Sequence, residues 1–371
     1  MNHSITMADI AIVGAGMAGA SLAAEIGDAA RVVLIEGEAQ PGYHSTGRSA
    51  AFWSETYGGP AVQPLTTASF HYLDSHGFLR DRSAIHLAAD AEGMAEVLRL
   101  KKELGGVVDL RLLDPSALEG LIPGLRPGFA GALAEPSCRD IDVAGLHAHY
   151  LARARAAGTR LSTDARLLSI SRERGEWRIL TSAGEMRAAM LVDAAGAWAD
   201  EVAVLAGVRP IGIQPFRRTV VQLQVDPPAA SDLPLVMDAA QRFYFKPEAG
   251  GRIWLSPHDE TSTPPCDAAP DEMDVAVAID RFERVLDWKI VRRERAWAGL
   301  RSFAPDRAPV YGFDPRVPGF FWFAGQGGFG IQTAPAAAIL AAAMVLGRTP
   351  PAVQRPIDAD RYDPRRFAER V

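Results

Sequence analysis

Three glycines, Gly14, Gly16 and Gly19, follow the mostly apolar run 8–13 at the spacing G-x-G-x-x-G. Glu36 closes a second apolar run, 31–35. Strand, glycine turn, helix, strand and acid in this order are suited to binding a dinucleotide. The first glycine allows a tight turn, the second lets backbone approach a pyrophosphate, and the third lets helix and sheet pack closely. Amides from about Met17 onward, including Ala18, then point at the phosphates, where the helix dipole favours negative charge. The Glu36 carboxylate suits a ribose 2'-OH and argues against a 2'-phosphate, hence against NADP.

Two more glycine segments fit the same purpose. In Met190-Leu191-Val192-Asp193-Ala194-Ala195-Gly196 a strand runs into small residues, and Ala195 and Gly196 let a cofactor lie against backbone. At 325–333, GQGGFGIQT leads from strand 320–324 into an apolar helix, offering a second set of backbone amides. Directly after the acid, residues 37–51 are polar and turn-rich before turning helical. There Gly37, Ser45, Thr46, Ser49 and Ala50 are placed to cover the rest of the cofactor, with Arg48 as a cation. Leu167, at the start of a strand, joins this set.

These residues need elements to position them. Residues 61–104 read as mainly helical, 112–127 as a proline-punctuated loop, and 142–157 as a helix ending at Gly158. Strands follow at 166–171 and 177–181, and further strands at 217–225, 243–246 and 252–256 belong to another sheet. Residues 273–286 form an amphipathic helix with Val275, Ala278, Ile279, Phe282 and Leu286 on one face.

The 371 residues suffice for two domains, and 48% hydrophobic with 23% charged residues is an ordinary globular composition. A net charge of -6 without long charged runs makes nucleic acid an unexpected partner. Two cysteines, Cys138 and Cys266, suggest neither a disulfide framework nor a metal site. No signal peptide is visible, and the apolar run 334–346 is too short to span a bilayer, so the expectation is a cytoplasmic protein with no transmembrane segment.

The stretches PGYHSTGRSAA, LVDAAGAWAD, FYFKPEAG, WAGLRSF and GQGGFGIQT, in this order over nearly the whole chain, resemble the FAD-dependent D-amino-acid oxidase and glycine oxidase superfamily. Within it they are most similar to bacterial D-amino-acid dehydrogenases of the D-arginine dehydrogenase type. The resemblance implies a Rossmann-like α/β FAD-binding domain from residues 1–80, 140–205 and 300–371. Residues 81–139 and 206–299 would form an α+β substrate domain on an antiparallel sheet. It also implies FAD meeting substrate at the domain interface. Some relatives attach the flavin through a cysteine or a histidine. Cys266 precedes WAGLRSF and Arg48 stands at the histidine position, so non-covalent FAD is expected, with His44 close by.

Oxidation of an amino acid moves a hydride from Cα to flavin N5, and the protein must hold the two together. By the resemblance, Arg301 in WAGLRSF anchors the substrate carboxylate with two parallel hydrogen bonds. Of Arg217 and Arg218 as a second anchor, the position after Pro215 and strand alternation favour Arg218. Tyr57 and Tyr244 match positions that supply phenols. Gln332 and the backbone at Gly328 receive the amine. Amides of Gly327, Gly328, Phe329, Gly330, Ile331, Gln332 and Thr333 would face the flavin, those from Phe329 to Gln332 its pyrimidine end.

The chain departs from the D-arginine pattern at 81–87, which lacks a carboxylate for a cationic side chain, and at Phe52-Trp53. The expected substrate is therefore a D-amino acid with a neutral, apolar or aromatic side chain, lined by Phe52, Trp53, Ile85 and Met237. Only four lysines occur, and Lys246 alone lies in a plausible strand, which favours a dehydrogenase passing electrons to a quinone or other acceptor over O2. The same scaffold also suits a 2-hydroxy acid or an N-alkyl glycine. A non-catalytic flavin-binding redox protein would not need a carboxylate clamp.

Overall fold

A computed structural model describes residues 5–350 and 357–368. Its first sheet has eight strands, five of them parallel in the spatial order Arg160–Ser162, Val32–Ile35, Thr6–Val13, Gly184–Asp193 and Phe320–Ala324. All four residues of Val32–Ile35 are buried, as expected for a parallel strand covered on both faces. The long strand Gly184–Asp193 changes partners along its length. On one edge its first half pairs with Glu176–Thr181, which in turn pairs with Leu167–Glu173, and its second half pairs with Phe320–Ala324.

Helices Met17–Ile26, Gln63–Ser75, Val143–Ala156 and Ala334–Val345 form one layer over this sheet. Ala334–Val345 is a core helix, with ten of its twelve residues buried and small alanines permitting close approach. Among the described residues, no helix is long and apolar enough to cross a membrane. Asp142 caps Val143–Ala156 by accepting from the Gly145 amide at 2.8 Å.

The second sheet has ten strands and is mainly antiparallel, the pair Leu235–Asp238 with Ala84–Ala88 being parallel. Its centre is a long pair, Gln214–Asp226 against Lys289–Phe303. Helices Pro115–Leu121 and Glu272–Val285 cover one face, with Phe245, Phe282, Leu255 and Ile253 fully buried between. A short strand, Gln326–Gly327, pairs with Ser302 and Phe303, so the chain passes from the first sheet to the second within two residues of Ala324. A domain boundary at 300 would cut the strand Lys289–Phe303, and we propose it lies after Phe303.

Several local expectations fail for identifiable reasons. The stretch 61–104 is two helices, Gln63–Ser75 and Ala91–Leu104, separated by strands Leu79–Asp81 and Ala84–Ala88. Pro115 begins a helix, capped by Asp114, instead of belonging to a loop. Residues 37–51 stay in turns and do not become helical.

Candidate active site

One cavity of 460 Å³ runs from the glycine turn to the long strand pair of the second sheet. At one end Gly14, Gly16, Ala18, Glu36 and Gly37 line it, and at the other Arg218, Arg301, Gly327, Gly328, Gly330 and Ile331. Ser45, Thr46, Arg48, Ser49, Ala50, Leu167, Ala195 and Gly196 line the length between.

Two of the three turn glycines leave no room for a larger residue. Gly14 has φ +96°, and a Cβ there would lie 2.5 Å from the Ala194 carbonyl oxygen. A Cβ on Gly19 would lie 1.8 Å from the carbonyl oxygen of Gly14. Gly19 therefore packs the helix onto the turn and does not line the cavity. Glu36 accepts the Ala15 amide at 2.9 Å and the Glu38 amide at 3.0 Å, which fixes its carboxylate while leaving lone pairs for a ribose. The Met17 amide donates to Thr46 Oγ1 at 2.9 Å, so Thr46, not a phosphate, takes the first helical amide.

Arg48 is not the free cation expected from the sequence. It ion-pairs with Asp267 and donates from Nη1 to the carbonyls of Ala268 and Ala298, tying residues 37–51 to the second sheet. Ser45 Oγ donates to the Leu300 carbonyl at 2.7 Å in the same seam.

Antiparallel register explains the clamp. Arg218 lies opposite Gly299, and Arg301 opposite Phe216, so the two arginines are diagonal neighbours on one face of the strand pair. Arg217 points the other way and pairs with Asp274 at 2.7 Å. Arg301 Nη1 donates to Tyr57 Oη at 2.5 Å, and among the described residues it has no carboxylate partner. Arg218 is 3% exposed. Its Nε donates to the Asp259 carbonyl at 2.7 Å and its Nη2 to Glu260 at 3.2 Å, while Nη1 is buried without a partner. Burial, and then the field of Arg301, pulls its pKa down to about 10, which leaves it charged at neutral pH. A Cβ on Gly328 would come within 2.6 Å of Tyr57 Oη and 3.2 Å of Arg301 Nη1, so a larger residue there would displace the clamp side chains.

Beyond the clamp lies a recess of about 40 Å³ walled by Phe52, Tyr57, Met237 and Tyr244, together with His86 and His258. The charged residues Glu96, Arg99 and Asp238 also line it, Glu96 pairing with Arg99 and Asp238 with Arg242. Phe52 meets Tyr57 and Tyr244 edge-on, with centroids 5.1 and 5.8 Å apart. Phe329 packs on Tyr57 at 5.0 Å. The segment carrying Tyr57 is fixed from beneath by Glu135, fully buried, which accepts from Ser54 Oγ at 2.8 Å, the Glu55 amide at 2.6 Å and Thr56 Oγ1 at 2.6 Å. This buried carboxylate and His258 were not singled out from the sequence. His258 stands in a loop after strand Arg252–Ser256, where no periodicity marks it.

Five expected contacts are not made. Trp53 alternates away from Phe52 into the helical core, donating to the Thr66 carbonyl at 3.1 Å. Ile85 faces the helix-covered side of its sheet, while its neighbour His86 faces the recess. Gln332 is spent internally. Its Oε1 accepts the Ser54 amide, and its Nε2 donates to the carbonyls of Ser54 and Tyr57 and to Thr66 Oγ1; at 2% exposed it lines neither the cavity nor the recess, so it does not meet a substrate amine. The amides of Phe329 and Thr333 close turns onto Gln326 and Phe329 respectively, so neither can face a cofactor.

His258 has an unusual electrostatic position. Burial, then Arg218 and Arg301, lowers its pKa to about 2 from 6.5. The native state thus binds no proton there between pH 6.5 and about 2, whereas the unfolded chain does. His258 therefore contributes to the loss of stability as pH falls below 6.5, with a slope of at most ~1.4 kcal/mol per pH unit. We expect His258→Gln to flatten the fall of Tm between pH 6.5 and 5 in thermal melts. An unchanged slope would mean that His258 titrates normally.

Residues 9–344 match the FAD dependent oxidoreductase family, and the chain belongs to it. Its cofactor is FAD, and the glycine turn, the positioned Glu36 carboxylate and the cavity provide for such a dinucleotide. Over 376 residues the chain is 27% identical to a glycine oxidase of Pseudomonas aeruginosa, covering 92% of this chain and 95% of that protein. It is 26% identical to D-amino acid dehydrogenase 3 of Mesorhizobium japonicum, covering 78% and 70%. Among solved structures, L-proline dehydrogenase from P. horikoshii superposes with a TM-score of 0.85 at 21% identity over 98% of this chain and 99% of that one. Glycine oxidase from Geobacillus kaustophilus gives 0.82 at 22% over 93% and 96%.

Proposed function

We propose that this protein oxidises a D-amino acid with a neutral, apolar or aromatic side chain to its imino acid. The observation that carries this reading is Arg301, a guanidinium lining the cofactor cavity with a phenol as its partner and no carboxylate among the described residues. A charge so placed calls for an anion, and its planar donors fit a carboxylate. The unpartnered Nη1 of Arg218 adds a second donor on the same face.

FAD supplies the acceptor for the hydride that leaves Cα, and the amine nitrogen's lone pair completes the C=N bond as its proton is lost. The chain's own work is positional. Arg301, Arg218 and Tyr57 hold the carboxylate, Gly328 keeps the approach open, and Phe52, Met237 and Tyr244 offer apolar wall to the side chain. That recess supports a substrate with a side chain over glycine itself. The D configuration rests on the similarity to the named D-amino acid dehydrogenase.

Steady-state assays with a dye acceptor test the reading. D-phenylalanine, D-leucine and D-methionine should each exceed D-arginine in kcat/KM, and the reverse order would refute it. Among the described residues no lysine lines the cavity or the recess, and Lys246 is held by Asp140 at 2.9 Å. That supports a dehydrogenase using a quinone or other acceptor. Stopped-flow mixing of reduced enzyme with air-saturated buffer should show slow reoxidation, and rapid reoxidation would make it an oxidase. The flavin is proposed to be non-covalent, so acid precipitation should release it. The sequence contrast remains relevant, as Cys266 lies outside the cavity lining and His44 within it.

A further inference from the structure

We infer that His258 selects the substrate side chain by accepting a hydrogen bond from it, so that the best substrates are neutral D-amino acids bearing an N–H or O–H group. The inference rests on the reading of Arg301 as a carboxylate anchor, and narrows the side chain beyond it.

The tautomer follows from one contact. His258 Nδ1 bonds to the Gln241 carbonyl oxygen, which can only accept, so Nδ1 carries the proton. In the neutral ring Nε2 is then a bare acceptor. It has no hydrogen-bond partner among the described residues, and the ring forms part of the recess wall with Phe52, Met237 and Tyr244. The arginines behind it oppose protonation of Nε2, so it remains an acceptor across the physiological range.

The placement is held against backbone preference. His258 has φ +57° and Gln241, whose carbonyl orients it, has φ +58°. Non-glycine residues reach this left-handed region at a cost, and such strain clusters at functional sites. The ring also meets Tyr244 edge-on, with centroids 5.8 Å apart, which fixes its plane.

The charged groups that also line the recess are paired, Arg99 with Glu96 at 2.8 Å and Asp238 with Arg242 at 2.8 Å, so the bare acceptor at Nε2 can discriminate between side chains. A side chain with a donor satisfies it, whereas an isosteric one without a donor displaces water and leaves Nε2 unpaired. Selection is therefore read within pairs of similar shape, so that size and the shared carboxylate cancel.

The test compares kcat/KM for D-glutamine against D-methionine, D-tyrosine against D-phenylalanine and D-threonine against D-valine. In wild-type holoenzyme at least one ratio should be about tenfold or more. That ratio should fall below about threefold in His258→Leu and recover in His258→Gln, whose amide oxygen can accept. If the leucine variant loses flavin, His258→Met replaces it. Wild-type ratios all near one, or a large ratio surviving in the leucine variant, would overturn the assignment. Failure of every D-amino acid to bleach the flavin anaerobically would instead overturn the D-amino-acid reading, and this inference with it.

Discussion

Arg301→Ala should lower kcat/KM for the D-amino acid substrate by roughly a thousandfold while the purified protein remains yellow. Truncating one partner of a buried, hydrogen-bonded charge pair costs about 2–5 kcal/mol. At ~1.36 kcal/mol per decade, the middle of that range gives about two to three decades. The effect should lie towards the upper end, because Tyr57 loses its partner in the same step. Arg301→Lys separates charge from geometry. It keeps a cation but loses the planar fork, so it should recover only a part of the loss. FAD content should change little in either variant, since the glycine turn and Glu36 lie at the other end of the cavity. Measurement of kcat/KM together with the visible spectrum checks both halves. A variant of normal activity would remove the carboxylate clamp from the mechanism.

Legibility in the sequence differed sharply between the two ends of the site. The turn at Gly14, Gly16 and Gly19 was readable because three backbone constraints act at fixed spacing within one continuous segment. The positions of Gly14 against Ala194 and of Gly19 against Gly14 are those constraints in space. Arg301 and Arg218, more than eighty residues apart in sequence, are brought together by register between two strands, and no local pattern reports that pairing. The resemblance points to Arg301, and strand alternation after Pro215 to Arg218.

Misplaced residues share a physical origin. Trp53 and Ile85 were assigned to the recess by their apolar type, yet strand parity sends each to a packed core and leaves Phe52 and His86 on the recess side. Gln332 has the right chemistry for an amine, but it is buried away from the cavity, where it fastens residues 54–57 to the start of the last core helix. Ala84–Ala88 and Gly131–Glu135 were not recognised as strands. Both contain alanines or glycine where β-branched residues would signal a strand, and their form comes from pairing with each other and from burial.

Gly19→Ala should yield protein with little or no bound FAD, although the added group is a single methyl. Its Cβ would lie 1.8 Å from the Gly14 carbonyl oxygen and 3.2 Å from Leu34 Cδ1. The first contact is with backbone, so relief requires the helix Met17–Ile26 to move off the turn. That movement carries the amides of the helix N-terminus away from the phosphates they are placed to meet. Overpacking of this kind costs about 1–3 kcal/mol or more. Even ~2.8 kcal/mol taken from cofactor binding weakens it about a hundredfold. Gly27→Ala, at the other end of the same helix, is the matched control. It also strains a positive φ of 60°, but nothing lies within 4 Å of its added Cβ, so it should lower Tm slightly and keep its FAD. Far-UV circular dichroism establishes that both variants fold, and flavin absorbance per chain reads the outcome. Full FAD occupancy in Gly19→Ala would show that the contact between helix and turn is dispensable for holding the cofactor.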